Sequence, residues 1–545
     1  MGIGHDADDG YISYVYLFSV LNVRKEGNML KKIERVVFIC AFVICIFLPL
    51  LRFNIKRGTV LESENRMPAA RPSLHMSDGS LNSRFTSEFE NWFDDRIGFR
   101  SALVAQDGWI QFHLFDRIPG MILGKHHELT LISDMREYQH TNLCTSAQLF
   151  QITSAYETIA SFLQSQKIQF YYMQCWDNFS IYPERYPDNI KVFGDCSRTQ
   201  QIEDALASET SVRLVKIRDA LIQGKEKYET YPTWGEPWHW TQRGAFIGYQ
   251  KLMETINRYN DGKYSVLDEE AFNIGHEDLG KTYFGVHEPD VLETFTLKKN
   301  WGFLEMDRMT YQPEGGDENH FAYYVNNHVD NEDTLLIIGD SYIYDYQVLQ
   351  DLAESFHRTI MVNGSSAESD HFLRLMAEYH PDIVLMENAQ RVPRYDKAVS
   401  IAENIRGHAY QPSETISFSE NGNFGDYVIE GFADPEKDGA WVEGNRMALL
   451  LSLSSGINQQ KISCSVKICS VLGQKGQQVR VSVNGLACAD ARMTTAGDLT
   501  FSFDRPPSDY VLLHFELPDA VSPLDLGESG DSRKLSLKIS ALELS

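Results

Sequence analysis

Gly339-Asp340-Ser341 stands at the end of an uninterrupted apolar run, TLLIIG, and is followed by the helix-like stretch YDYQVLQDLAESF. That order puts a hydroxyl at the carboxyl end of a strand and near a helix N-terminus. Backbone N–H groups there can stabilise a developing oxyanion, and ligands of open α/β sheets bind outside the carboxyl ends of strands. Ser341 is therefore a candidate nucleophile, although Asp340 and Ser341 would serve equally well as a simple helix cap. A serine nucleophile needs a base. The candidate is His239, in GEPWHWTQRGA, where a tryptophan stands on each side of the histidine just before a helical stretch. A structural histidine, one among 16, is the competing reading.

The elements that must position these residues alternate in type from about 120 to 400. FYYM at 170–173, TLLIIGD at 334–340, RTIMVN at 358–363 and DIVLME at 382–387 read as strands, with helical stretches between them, one beginning after His239. This predicts an α/β domain with a mainly parallel sheet over 120–405. From 410 to 545 helical periodicity gives way to short alternating runs, KISCSVKI, QVRVSVNG, LTFSFD and YVLLHFELP, which predict a β-sandwich. Upstream, Leu81, Phe85, Phe89, Phe93 and Ile97 recur at helical spacing and predict one or two amphipathic helices within a linker region, 54–119.

The run from Val36 to Leu51 carries no charge and is slightly short of a bilayer span unless its flanks snorkel. Arg24, Lys25, Lys31, Lys32 and Arg35 precede it, against Arg52, Lys56 and Arg57 after it, so the positive-inside bias puts residues 1–35 in the cytoplasm. No small-residue cleavage pattern follows Leu51, which favours an uncleaved anchor at 36–53 in an inner or plasma membrane, with the rest of the chain periplasmic or at the cell surface. With 545 residues and 43% hydrophobic content the chain is long enough for several folded domains, and a net charge of -26 spread along it argues against nucleic acid as a partner. The eight cysteines lack metal-site spacing. Cys464 and Cys469 leave a disulfide open, but most of the cysteines read as buried thiols. No cofactor or metal is expected.

Taken in order, ENR at 64–66, FENWFDDRIGFR at 89–100, Ile181-Tyr182-Pro183-Glu184, HWTQRGA at 239–245, LLIIGDS at 335–341 and MENAQR at 386–391 resemble the SGNH-hydrolase-like proteins of the alginate O-acetylation machinery, the AlgX/AlgJ and DHHW group. The resemblance covers roughly 60–400 and rests most on GDS and HW-x-x-x-GA. It implies a flavodoxin-like α/β fold, acylation of Ser341, His239 as its base, an exopolysaccharide acceptor, and a membrane-bound acyltransferase that delivers the acetyl group. Candidates for substrate or oxyanion contacts are Asn363, Arg391 and Trp240. The C-terminal region is similar to modules of polysaccharide-biosynthesis enzymes, with Trp441 as the residue that would stack on a sugar ring, although most strand aromatics are core.

One departure matters. The family pattern is Asp-x-His-Trp, and position 237 is proline here. The nearest carboxylate is Glu236, and a β-turn over Glu236-Pro237-Trp238-His239 would bring it toward the imidazole. The expected activity is O-acetyl transfer to a polysaccharide. A polysaccharide esterase using the same residues, and a glycan-binding scaffold that has lost catalysis, are the alternatives.

Overall fold

The computed structural model describes residues 32–56, 58, 67–76, 79–298, 304–305, 322–364, 369–407, 409–507 and 509–545. The expected cytoplasmic segment lies outside the described residues except for 32–35. The described residues fall into two compact units, one drawn from 1–120 and 281–288, the other from 121–280 and 289–545.

In the first unit, a helix over Lys32–Leu51 has a mean hydropathy of 2.4 and is long and apolar enough to cross a membrane. It begins at Lys32 rather than Val36, and the added turn makes up the length that the uncharged run lacks. Around its C-terminal end, Asn54 N–H donates to the Arg96 carbonyl (2.9 Å) and Gly98 N–H to the Pro49 carbonyl (3.0 Å). Phe53 packs 5.1 Å from Phe93 and 5.7 Å from Trp92. The amphipathic stretch forms two helices, Phe85–Asp94 and Arg100–Phe115, broken where Phe99 adopts φ 60°. Residues 281–288 were not expected with them. They fold as a small hairpin on the second helix, and glycine permits the contact: a Cβ at Gly108 would fall 2.1 Å from the Phe284 carbonyl oxygen, and one at Gly285 2.5 Å from Ala105 Cβ.

The second unit is built on a seven-stranded sheet. Its elements, in chain order, are α1 (Ser146–Ser165), β1 (Gln169–Cys175), β2 (Arg213–Val215), α2 (Gln242–Arg258), β3 (Leu304–Glu305), β4 (Ala322–Val325), β5 (Thr334–Gly339), α3 (Ser341–Tyr344), β6 (Arg358–Asn363), α4 (Ser369–Tyr379), β7 (Ile383–Ala389) and α5 (Tyr395–Gly407). The strand order is β2-β1-β7-β5-β6-β4-β3. The first five strands in that order are parallel, and β4 and β3 add an antiparallel edge, so the sheet is mixed. Central β5 is buried along its whole length. Leu335 and Ile337 join a core with Phe246, Tyr249 and Leu252 of α2, while Leu336 and Ile338 face Ile159 and Phe162 of α1 and Met376 and Ile401 of α4 and α5. Two-sided burial is why this strand reads as a continuous apolar run rather than an alternating one.

After α5, two further sheets enclose a single apolar cluster. One is centred on Arg446–Leu453 paired with Tyr510–Glu516, the other on Leu535–Leu544 paired with Lys461–Val471. Leu449, Leu451 and Leu513 of the first meet Val466, Ile539 and Leu542 of the second. The chain passes from α5 into this two-sheet region, and the two parts share a buried seam. Leu450 belongs to the core of α1 and α5, Ala377 packs with Ala448 and Leu512, and Gln166 Nε2 donates to Asn484 Oδ1 at 2.9 Å. All eight cysteines are free thiols. On Lys461–Val471 the Cys464 side chain turns into the core while Cys469, five residues on, points to the opposite face, so that open disulfide is not made.

Candidate active site

Ser341 Oγ and His239 Nε2 are 3.0 Å apart, at hydrogen-bond distance, at the carboxyl end of β5. Several local features put the hydroxyl there. Asp340, extended at φ -132° and ψ -162°, caps α3 by accepting from Tyr342 N–H at 3.0 Å. Its other oxygen accepts from Arg394 Nη1 (3.0 Å) and from Ala389 N–H (3.3 Å). Its own N–H donates to Oε2 of Glu387 on the adjacent β7, at 2.8 Å. Glu387 is 1% exposed, and burial, with Asp340 adding to it, pushes its carboxyl well above the usual range. The helix-cap reading and the nucleophile reading of Asp340-Ser341 are thus compatible: Asp340 is the cap, and Ser341 opens the helix.

His239 is 4% exposed and held from both flanks. On the C-terminal side, Thr241 caps α2 by accepting from Gly244 N–H at 3.0 Å, and its hydroxyl donates to the Glu229 carbonyl at 2.7 Å. On the N-terminal side, Oδ2 of the buried Asp290 accepts from the N–H groups of Thr233, Trp234 and Gly235 at 2.7–2.9 Å, fixing the loop that leads into Glu236. The expected turn is present, with His239 N–H on the Glu236 carbonyl at 3.1 Å. The imidazole packs against two tyrosine rings, 4.7 Å from Tyr342 and 4.9 Å from Tyr346. Glu236 Oε2 accepts from the Tyr346 hydroxyl at 2.7 Å. Burial, and then the neighbouring Glu236, raise the Tyr346 pKa above the ordinary phenol range, so the tyrosine remains a donor.

No family model and no curated protein matches the chain. Among solved structures it is similar to PatB1 of Bacillus cereus, at 17% identity over 45% of this chain and 90% of that one, with a TM-score of 0.34. It is also similar to the O-acetyltransferase domain of Pseudomonas putida AlgJ, at 17% identity over 50% and 91%, TM-score 0.33. A third similarity is to Pseudomonas aeruginosa AlgX, at 12% identity over 78% and 94%, TM-score 0.32.

The other expected site residues are distributed unevenly. Asn363 ends β6 in register with Gly339, which puts it at the same end of the sheet as Ser341. Arg391 is nearby but engaged in structure: its Nη1 donates to Asp177 Oδ1 (2.8 Å), to the Trp238 carbonyl and to the Tyr342 hydroxyl (3.4 Å). Burial opposes its charge, but Tyr342 and Asp177 hold its pKa above the usual arginine value. It ties three loops together. Trp240, expected at the substrate, is instead a core residue, 1% exposed, whose ring is close enough to α2 that a Cβ at Gly248 would come within 2.6 Å of it. Trp441 stands half-buried opposite Lys538 between the core-facing Ala440 and Val442, on the outer side of its strand. Asp177, Tyr342, Tyr346, Glu387 and Arg394 escaped the sequence reading. Asp177 had a usable signal, since it follows β1 at the same sheet end as Ser341.

A hydroxyl bonded to a buried imidazole beside a helix start is equipped for acyl transfer through serine. Among the described residues there is no group of three or more His, Cys, Asp or Glu side chains placed to hold a metal.

Proposed function

We propose that this chain is a membrane-anchored, extracytoplasmic O-acetyltransferase that loads an acetyl group onto Ser341 and passes it to a hydroxyl of a cell-surface polysaccharide. The observation that carries the proposal is the 3.0 Å contact between Ser341 Oγ and His239 Nε2. His239 takes the serine proton as Oγ attacks the carbonyl carbon of the acyl donor. The Oγ–carbon bond forms, and the donor's leaving group departs with the proton from His239. A sugar hydroxyl then attacks the acyl-enzyme and gives its proton to His239. The new ester bond forms, the Oγ–carbon bond breaks, and the proton returns to Oγ.

In this scheme Glu236 orients His239 from the turn and through Tyr346, and Asn363 faces the developing oxyanion. Arg391 positions the loops rather than touching substrate. The apolar helix Lys32–Leu51 supports an anchor beside a membrane-bound acyltransferase that supplies the acetyl group. Trp441 stacks on glycan at the outer face of the two-sheet region.

The test is to incubate the full chain, in detergent, with p-nitrophenyl acetate and a panel of defined hexasaccharides, and to look for saccharide-bound acetyl by mass spectrometry. Acetylated saccharide that disappears with Ser341→Ala is the expected result. Release of free acetate alone would make the chain an esterase.

A further inference from the structure

A concavity of about 220 Å³ is lined in part by Trp176, the residue that follows β1. It opens past the carboxyl end of β1, the strand separated from β5 only by β7. Two interstrand spacings are about 10 Å, so Trp176, at the end of β1, stands roughly that far along the sheet edge from the strand that carries the serine. The two places are joined by the segment Trp176–Ser180. Asp177 N–H and the Ser180 hydroxyl both donate to Gln390 Oε1 at 2.9 Å, while Asp177 Oδ1 accepts from Tyr342, the residue after the serine, at 2.9 Å.

The lining is mixed in a specific way. Tyr138 supplies an accessible aromatic face, backed by the buried Trp176 and Phe179, and Asp195, Gln200 and Arg218 supply donors and acceptors. The aromatic part is rigid, since the Tyr138 ring stacks on Tyr186 at 3.8 Å and meets Phe179 edge-on at 6.3 Å. Arg218 is held as well, with its guanidinium 5.2 Å from the Trp176 ring and Nη1 near Gln200 Oε1 at 3.5 Å. A cavity for a drug-sized ligand has a volume of about 300–1,000 Å³, so this one suits a single ring. A pyranose presents an apolar C–H face and a rim of hydroxyls, which match aromatic walls and a planar donor–acceptor set.

We infer that this cavity is a sugar subsite, which takes one ring of the polysaccharide while another ring of the same glycan presents its hydroxyl at Ser341. The inference rests on the transferase reading for its substrate, but its geometry is separate from the serine. Its consequence is that the acceptor is an oligomer, held at a distance from the reacting hydroxyl.

The test uses the full chain carrying Ser341→Ala, labelled with 5-fluorotryptophan, with the Trp176 resonance assigned through Trp176→Phe. Cello-, xylo-, chito- and mannuronate hexasaccharides are titrated and followed by fluorine NMR and calorimetry. At least one should bind and shift the Trp176 resonance. Tyr138→Ala and Gln200→Ala should each weaken that binding by roughly tenfold or more, as expected for a contact that anchors a ligand. Tyr138→Phe should preserve binding, and all variants should unfold at the parent's temperature. Failure of every hexasaccharide to bind, or binding indifferent to Tyr138→Ala, would overturn the inference. Acyl-enzyme at Ser341 without binding here would leave the transferase proposal standing and sink the subsite, whereas binding here without acyl-enzyme would do the reverse.

Discussion

The Tyr346 hydroxyl donates to Glu236 Oε2 at 2.7 Å. Because the Tyr346 ring also lies 4.9 Å from His239, the carboxylate holds one wall of the imidazole's slot, while the Glu236 carbonyl accepts from His239 N–H in the turn below it. Glu236→Gln should therefore lower kcat, by roughly 10²–10⁴ if the loss matches that of a neutralised triad acid, with little change in KM. Tyr346→Phe keeps the ring and removes only the hydroxyl, so its kcat should fall less than that of Glu236→Gln. Steady-state kinetics of the two variants measure the split, and wild-type kcat in Glu236→Gln would remove the carboxylate from the mechanism.

Arg391 should behave as a structural tie. Asp177 is 1% exposed, and Arg391 is its charged partner at 2.8 Å. Removing one member of a buried pair leaves the other uncompensated, at a cost of about 3–5 kcal/mol. Arg391→Ala should accordingly show a large fall in unfolding temperature together with its loss of activity. An active-site contact would lose activity at an unchanged unfolding temperature, and calorimetry separates the two outcomes.

The seam between the α/β region and the two-sheet region should make them unfold as one. Phe162 of α1 meets Tyr510 edge-on at 5.9 Å and is fully buried. Truncating a buried phenylalanine costs about 3–5 kcal/mol. Phe162→Ala should shift a single calorimetric transition downward, whereas two transitions, one of them unmoved, would show that the regions are independent. A fragment beginning near 410 would expose Leu450, Leu512 and Tyr510, so it should be less soluble than its size alone suggests.

At the same seam, burial, and then His380 and Arg446 beside it, hold the His514 pKa down to about 4. Between pH 6.5 and about 4 the unfolded chain binds a proton at this position that the folded chain refuses, so stability falls as the pH drops through that window. At pH 5 the penalty is about 2 kcal/mol relative to pH 7.5. His514→Gln lacks it. Its unfolding temperature should drop less than the parent's between pH 7.5 and pH 5, and an equal drop would contradict the assignment.

Much of this was legible from local pattern. β5, β6, β7 and the helix after His239 carry apolar runs or caps whose meaning is fixed by nearest neighbours, and the strand-to-helix step at Ser341 follows from them. The turn at Glu236 was legible because proline restricts it. Trp240 was misread because a tryptophan flanking a candidate base looks the same in sequence whether it faces substrate or core. The glycine at 248, in the second turn of α2, decides the matter only after folding. Asp177, Glu387 and Arg394 lie far from Ser341 in the chain, and only the strand order brings them to it. The return of 281–288 to the first unit carries no local signal at all.

Acylation of Ser341 is what the proposed function requires. The direct measurement is the intact mass of the full chain after brief exposure to p-nitrophenyl acetate, followed by peptide mapping. One added acetyl group is expected, mapped to Ser341, absent in Ser341→Ala and strongly reduced in His239→Ala, with the unfolding temperature of Ser341→Ala unchanged because that hydroxyl stands at a strand tip. No adduct on the unmutated chain, or an adduct that persists in Ser341→Ala, would contradict it.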